Sequence, residues 1–246
     1  MRRRFFVPQF SGTAAKLEGA AAHHLARVLR AEPGQLYELS DGQRLFLARV
    51  EGVDRDLVEF SLIEPLATRP VRVAATLLVA IVKFDRFEWA LEKATELGAT
   101  TIMPLAAARS EKALVAAAAK RAERWEKILF ESAQQARSLR PPELGPLISP
   151  LEAFSMDKSA LRILLSERAG DPPLKTVLEA APHDSGPTER GAEAVSIAVG
   201  AEGGWTDDEF RAAESSGFAP ATIGGNILRT ETAVIAGLSA VHLYFD

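Results

Sequence analysis

The chain has 246 residues, 47% of them hydrophobic and 25% charged, with a formal net charge of −4 and no cysteine. That length can bury a sizeable core in one large domain or two smaller ones. The missing cysteines exclude disulfides and thiolate-bound metals, and four histidines at no metal-ligand spacing argue against zinc.

No run reaches the roughly 18 apolar residues of a membrane span. The basic start "MRRRFFVPQFSG" lacks the apolar stretch of a signal peptide. The expectation is a cytoplasmic protein with neither a metal nor a membrane partner. Its charge is uneven: net +5 over residues 1–30, +4 over 109–140 and −9 over 141–246. Basic islands on an acidic chain can steer a polyanion, because local potential outweighs the total. Two solvated faces are the other reading.

Residues 5–66 read as short β segments. "QLYELSDGQRLFLARVEGV" alternates apolar and polar residues around Asp41-Gly42, a hairpin turn signal, and "LVEFSLIEPL" is a further strand. "AAAHHLARVLR" predicts a short helix with Leu25, Val28 and Leu29 on one face and Arg27 and Arg30 on the polar side. A small β-barrel-like domain follows from this, with "EPLATRPVR" as the linker.

The pattern then changes. "VRVAATLLVAIVK" (71–83) is the apolar run of a strand buried on both faces of a parallel sheet. Asp85 caps the next helix in this reading, paired with Glu88; Phe87, Leu91, Ala94 and Leu97 form its apolar stripe, and Gly98 ends it. "TTIMPL" is a strand. Residues 112–139 are helical, with Trp125, Leu129, Ala133 and Ala136 on one face. "ALRILLSE", "VSIAVG" and "PATIG" are strands. "PLKTVLEAA", "TDDEFRAAESSG" and "TETAVIAGLSAVHLYF" are helices, and "HDSGPTERGAEA" is a polar loop. Strands alternating with helices predict an α/β domain with a mainly parallel sheet.

Two loops carry candidate chemistry. "GAEGG" (200–204) follows a strand and precedes Thr206, a good N-cap with Glu209 three residues on. The loop is neither a P-loop, having no lysine, nor a dinucleotide fingerprint. Glu202 would repel a phosphate, so a ligand that is neutral or cationic at this point fits better. "IGGNILRTETA" (223–233) repeats the arrangement. Such loops at the carboxyl ends of two strands could wall one pocket. Ile227 and Leu228 would line it, Arg229 would be the cation beside it, and Thr230 or Thr232 would cap the last helix. A salt bridge from Arg229 to Glu231 or Glu202 is the plainer alternative. Lys83, Arg86, Lys93 and Glu96 read, on their own, as a solvated helix face.

In combination, "GAEGGWTDDE" followed by "IGGNILRTETA" resembles the knotted SPOUT class of S-adenosylmethionine-dependent RNA methyltransferases. More narrowly, the chain is similar to the ribosomal RNA small subunit methyltransferase E family, which methylates uridine N3 in 16S ribosomal RNA. "RRFFV", "HHLARVLR" and "LSDG" match that family's PUA-like domain; "KFDRFEWALEKATELGATTIMPL" and "RWEKILFESAQQ" match its catalytic domain. The chain departs from the usual family pattern at Ala201 (Pro), Gly225-Asn226 (Pro-Arg) and Gln134 (Glu).

The resemblance implies a PUA-like β-barrel RNA-binding domain over residues 1–68. It also implies an α/β SPOUT methyltransferase domain over 69–246, with a deep C-terminal trefoil knot and a mainly parallel sheet, in a homodimer acting on the 30S subunit. It places S-adenosylmethionine against Leu165, Ser166, Gly200, Glu202, Gly203, Ile223, Gly224, Ile227, Leu228, Thr232 and Ala233. Arg229 would stabilise charge developing on the base, with Glu202 as a base or sulfonium partner. Arg2, Arg3, Arg4, Arg27, Arg30, Lys83, Arg86 and Lys93 would grip RNA. The competing expectations are an α/β enzyme binding another nucleotide, and an RNA-binding assembly factor with a decayed methyltransferase pocket.

Overall fold

The computed structural model of the chain describes residues 3–68, 71–181 and 192–245. Arg2, part of the expected linker and much of the expected polar loop 183–194 lie outside the described residues. The chain forms two compact units, Met1–Pro70 with Ala133–Pro141, and Val71–Ser132 with Pro142–Asp246.

The first unit is built on strands β1 (Arg4–Phe6), β2 (Phe10–Ser11), β3 (Ala14–Glu18), β4 (Leu36–Ser40), β5 (Leu45–Val53) and β6 (Leu57–Pro65), with helix α1 (Gly19–His23) after β3. They pair in the order β1-β4-β5-β6-β3-β2. The β4–β5 hairpin turns at Asp41-Gly42 as its sequence predicts. Asp41 Oδ1 accepts from the backbone amides of Gln43 (3.0 Å) and Arg44 (2.7 Å). Phe5, Leu17, Leu25, Leu39, Val50 and Phe60 fill the core.

One expectation fails in this unit, and Arg4, assigned to RNA from sequence, has partners within the chain. The helix carrying Leu25, Val28 and Leu29 widens into a π-turn over His24–Val28, with Leu29 N donating to His24 O at 3.1 Å. The wider turn carries Val28 off the face of Leu25, and Val28 is 63% exposed. Arg4 is not a free surface cation. It pairs with Glu38 at 2.9 Å and donates to the carbonyls of Arg137 and Ser138. Ser40 Oγ adds a bond to the Leu139 carbonyl, so β1 and β4 hold the segment 133–141.

The second unit contains β7 (Val73–Ala80), α2 (Phe84–Glu96), β8 (Ala99–Leu105), α3 (Lys112–Ala118), α4 (Ala122–Gln135, whose last three residues are counted with the first unit), β9 (Glu143–Leu144) and α5 (Pro150–Met156). It continues with β10 (Leu161–Leu165), α6 (Leu174–Glu179), β11 (Glu193–Val199), α7 (Asp207–Ser215), β12 (Ala219–Ala221) and α8 (Thr230–Phe245). The sheet order is β12-β10-β11-β7-β8-β9, and every pair is parallel. β7 and β11 are buried along nearly their whole length, as central strands of a two-sided sheet must be.

α2 buries Phe87, Leu91 and Ala94 as expected, but its N-cap is Lys83 and no side chain caps it. Glu88 is drawn away by Arg124 (2.7 Å) and Arg121 (3.4 Å), whose charge outcompetes a backbone amide. The single helix expected over 112–139 is broken by a 3₁₀ turn at Ala119–Arg121 and stops at Gln135, leaving Ala136 exposed. α8 packs on α2, β7 and β11. Its approach is close: a side chain at Gly237 would put Cβ 3.2 Å from Leu165 Cδ1. Among the described residues, no helix is long and apolar enough to cross a membrane, and no cluster of three or more His, Cys, Asp or Glu could hold a metal ion.

Candidate functional site

Because β10, β11 and β12 are adjacent and parallel, the loops leaving their carboxyl ends converge at one edge of the sheet. They enclose a cavity of about 330 Å³, at the small end of ligand-site volumes. Leu165 and Ser166 enter from the end of β10, Gly200 and Gly203 from the loop after β11, and Ile223, Leu228 and Ala233 from the last loop and α8.

The loop after β11 is braced from three sides. Trp205 folds back beneath it, buried, and its Nε1 donates to the Leu165 carbonyl at 3.0 Å. Gly200 lies on that indole: a Cβ there would stand 3.2 Å from Trp205 Cε2. Thr206 and Glu209 form the expected capping box at the start of α7. The Glu209 carboxylate is buried and also accepts from Ala108 N at 2.8 Å, so the loop after β8 is tied in. A buried carboxylate left without such donors is costly. Arg109 donates to the Gly203 carbonyl, and Thr230 Oγ1 donates to the Gly200 carbonyl at 2.9 Å. Thr230 is therefore a strut between the loops.

The cavity wall combines apolar side chains with both signs of charge. Glu167 and Asp207 face it beside Arg109 and Arg168. Arg168 pairs with Asp207 and lies 3.7 Å over the Phe210 ring. Glycine backbone, apolar lining and paired charges suit a zwitterion carrying a flat aromatic group. They do not suit a polyphosphate, which calls for a lysine and free amides.

A second hollow of about 300 Å³ is lined by Arg86, Glu202, Ile227, Leu228 and Arg229. Leu228 belongs to both hollows, so the two meet there. Of the residues expected at the cofactor, Glu202 and Ile227 line this second space and not the first. Gly224 and Thr232 line neither, and both are exposed. Ile227 is 77% exposed. Glu202 is paired with Arg86, and Arg86 Nε also lies 4.0 Å from Glu231. Both carboxylates offered as partners for Arg229 are thus engaged by Arg86. Arg229 is exposed, its carbonyl accepts from Ala233 N at 2.8 Å, and among the described residues no hydrogen bond or ion pair holds its guanidinium.

Arg3, Arg27, Arg30 and Lys83 are exposed, while Lys93 is held by Glu92 (2.7 Å) and Glu96 (2.9 Å). Those carboxylates raise the Lys93 pKa. Arg109, Arg168, Trp205 and Thr230 were not expected at the cavity. Arg109 is brought to Gly203 by the fold alone, but the adjacency of Trp205 to the glycine loop was visible in the sequence.

A family model described as an RNA methyltransferase domain matches residues 69–242, and one described as an RNA methyltransferase PUA domain matches residues 17–63. The chain is 31% identical to the ribosomal RNA small subunit methyltransferase E of Mycobacterium tuberculosis, over 94% of this chain and 87% of the relative. It is 30% identical to the protein of that name from Synechocystis, over 94% and 73%. Among solved structures, it is similar to ribosomal RNA small subunit methyltransferase E from Neisseria gonorrhoeae bound to S-adenosyl methionine. The identity is 29% and the TM-score 0.83, covering 100% of this chain and 98% of the other.

Proposed function

The chain belongs to the ribosomal RNA small subunit methyltransferase E family, and from that premise we propose that it methylates N3 of a uridine in 16S ribosomal RNA, with S-adenosylmethionine as methyl donor. The observation that carries the reading is the junction of two hollows at Leu228, one suited to a zwitterionic donor and one furnished with a free arginine.

Bound S-adenosylmethionine supplies an electrophilic methyl group on a sulfonium. The chain's own residues do the rest. Leu165, Ile223, Leu228 and Ala233 exclude water from the first hollow, and Gly200 and Gly203 offer it backbone groups. Arg109 and Arg168 are placed for a carboxylate, Glu167 and Asp207 for an ammonium. Gly224 and Thr232 shape the last loop and the start of α8. Holding two reactants in line is where much of the rate comes from.

The second hollow takes the target base. N3 lies on the Watson–Crick edge, so the nucleotide enters unpaired or flipped out. N3 carries a proton, and Glu202 is the carboxylate placed to receive it. The negative charge left on the ring spreads to its two carbonyl oxygens, where the Arg229 guanidinium donates. Arg3, Arg27, Arg30 and Lys83 supply exposed charge for phosphates, and Arg2 is assigned with them from sequence.

We read the substrate as the assembled 30S subunit in the cytoplasm and the active form as a homodimer. Trp89 on α2 and Leu243 on α8 support the dimer: the two helices pack together, yet these apolar residues stay 45% and 85% exposed. The C-terminal path fits a trefoil knot, since β11 enters between β7 and β10 before α8 returns to pack on β7. We assign RNA binding to residues 1–68 and catalysis to 69–246, a reading supported by two compact units that divide between residues 70 and 71, with 133–141 returning to the first.

The decisive experiment incubates the protein with labelled S-adenosylmethionine and small ribosomal subunits from cells lacking this activity, then digests the RNA. A 3-methyluridine peak in the mass spectrum is the expected result. Donor binding without that peak would assign another target. Loss of both transfer and donor binding would favour an RNA-binding assembly factor.

A further inference from the structure

Arg86 stands between two carboxylates. In the first turn of α2, its Nη1 donates to Glu202, on the glycine-rich loop, while its Nε lies 4.0 Å from Glu231, in the first turn of α8. The two acids differ in surroundings. The Glu202 side chain is 49% exposed at the rim of the second hollow, whereas that of Glu231 is 8% exposed. One Glu231 oxygen, Oε2, is buried with no hydrogen-bond partner among the described residues. A buried carboxylate oxygen without a donor is costly. The nearest cation is a guanidinium already spent on a carboxylate that water can solvate.

We propose that Arg86 is a shared guanidinium that passes from Glu202 to Glu231 when a base enters the second hollow, and that this transfer makes the hollow select uracil over cytosine. The inference rests on reading that hollow as the acceptor-base site. Uracil presents an acceptor, a donor and an acceptor along its Watson–Crick edge. Arg229 supplies the donor for a carbonyl. The N3–H needs an acceptor, and among the described residues Glu202 is the only acid lining the hollow. Arg86 holds the Oε1 of Glu202 and lines the same hollow, so the N3–H must compete with a guanidinium for that carboxylate.

Release of Arg86 toward Glu231 removes the competition and gives Glu231 Oε2 the donor it lacks. Cytosine carries a lone pair at N3, so it would face Glu202 oxygen to nitrogen with no proton between them. A site whose polar group is left unpaired rejects such an analogue strongly. Arg86 and Glu231 are positioning residues here, and Glu202 reads the base.

The test measures binding, not turnover. Full-length protein is titrated with oligouridylate and oligocytidylate hexamers, and S-adenosylmethionine affinity is measured alongside for every variant. Wild type should favour oligouridylate by about tenfold, the cost of one unmade hydrogen bond to a charged group. Glu202→Gln, whose amide can face either base, should bring the ratio to about one.

Glu231→Gln should do the same, because Arg86 then stays on Glu202, while donor affinity is retained. The double variant Arg86→Gln/Glu231→Gln frees Glu202 and should restore the preference, a rescue that a merely structural role for Glu231 does not produce. Equal binding of the two hexamers by wild type, an unchanged ratio in Glu231→Gln, or a double variant no better than Glu231→Gln would each overturn the proposal. A wild-type ratio that is intact in a protein making no 3-methyluridine would strike the proposed reaction instead and leave the uracil reader standing.

Discussion

Thr230 Oγ1 donates a 2.9 Å hydrogen bond to the carbonyl of Gly200, joining the first turn of α8 to the loop after β11. Both residues line the larger cavity, so this bond sets the distance between two of its walls. Thr230→Val keeps the shape and removes the donor. Donor affinity should fall about tenfold by calorimetry, as expected when one buried acceptor is left unpaired. Thr230→Ser should bind within about twofold of wild type. Equal affinity for the valine variant would show that the loop is placed by its other ties.

Trp205→Phe separates packing from hydrogen bonding beneath the same loop. The phenyl ring still meets Phe154, whose centroid lies 5.7 Å from that of the indole, but the Leu165 carbonyl loses its 3.0 Å donor. The cost should be about 1–3 kcal/mol, seen as a melting point lower by roughly 2–10 °C. An unchanged melting point would mean that another group satisfies that carbonyl.

On the proposed reading, Arg229 divides binding from chemistry. It lines the second hollow and not the first, so Arg229→Ala should bind S-adenosylmethionine as wild type does. The methyl-transfer rate should drop by roughly 10²–10³, the range for removing one preorganised donor to developing charge. Wild-type turnover in the alanine variant would refute the role.

Arg27 tests the first unit. It is exposed on the π-turn, so Arg27→Ala should weaken ribosomal RNA binding and lower the slope of log affinity against log salt by about one. Donor affinity should not move. Intact RNA binding would take Arg27 out of the interface.

Acid should loosen the β4–β5 hairpin through Asp41. Burial pushes its pKa up, but donation from the Arg44 amide and guanidinium and from the Gln43 amide outweighs burial and leaves the carboxyl below its ordinary 3.8. A folded pKa below the unfolded one stabilises the native state above the unfolded value, and that contribution is lost as pH falls through the folded value. Amide protection in residues 36–53, taken relative to intrinsic exchange at each pH, should therefore fall below about pH 4 in wild type, and Asp41→Asn should flatten the response. Parallel profiles would exclude Asp41 as the titrating group.

Local features were legible because their causes are local. Asp41-Gly42 turns where its side chain can reach its own backbone, and Thr206 with Glu209 caps α7 because three residues is one helical turn. Features decided by distant partners were not. Glu88 looked like half of a capping box until the fold brought Arg121 and Arg124 to it. Arg4 looked like a free cation until residues 137 and 138 supplied it with carbonyls. Arg229 has the opposite history: the acids beside it in sequence and loop are taken by Arg86, a residue of α2. Leu25 and Val28 sit at helical spacing, and only a hydrogen bond one residue longer than the α-helical kind shows why they part.

The register of the central sheet pairs Val73 with Glu193, so β7 obtains its partner β11 only after most of the chain exists. On the ribosome, β7 and β8 emerge early with one edge open, and β10 follows with its own edge open toward the same slot. Closing that slot with a late strand demands contacts of large sequence separation, the kind that make folding slow and leave unpaired edges exposed meanwhile. The loop after β11 belongs to the ligand cavity. Catalytic competence therefore arrives with the final strands, and a chain released short of β11 is a sheet with a gap at its centre and no pocket at its end.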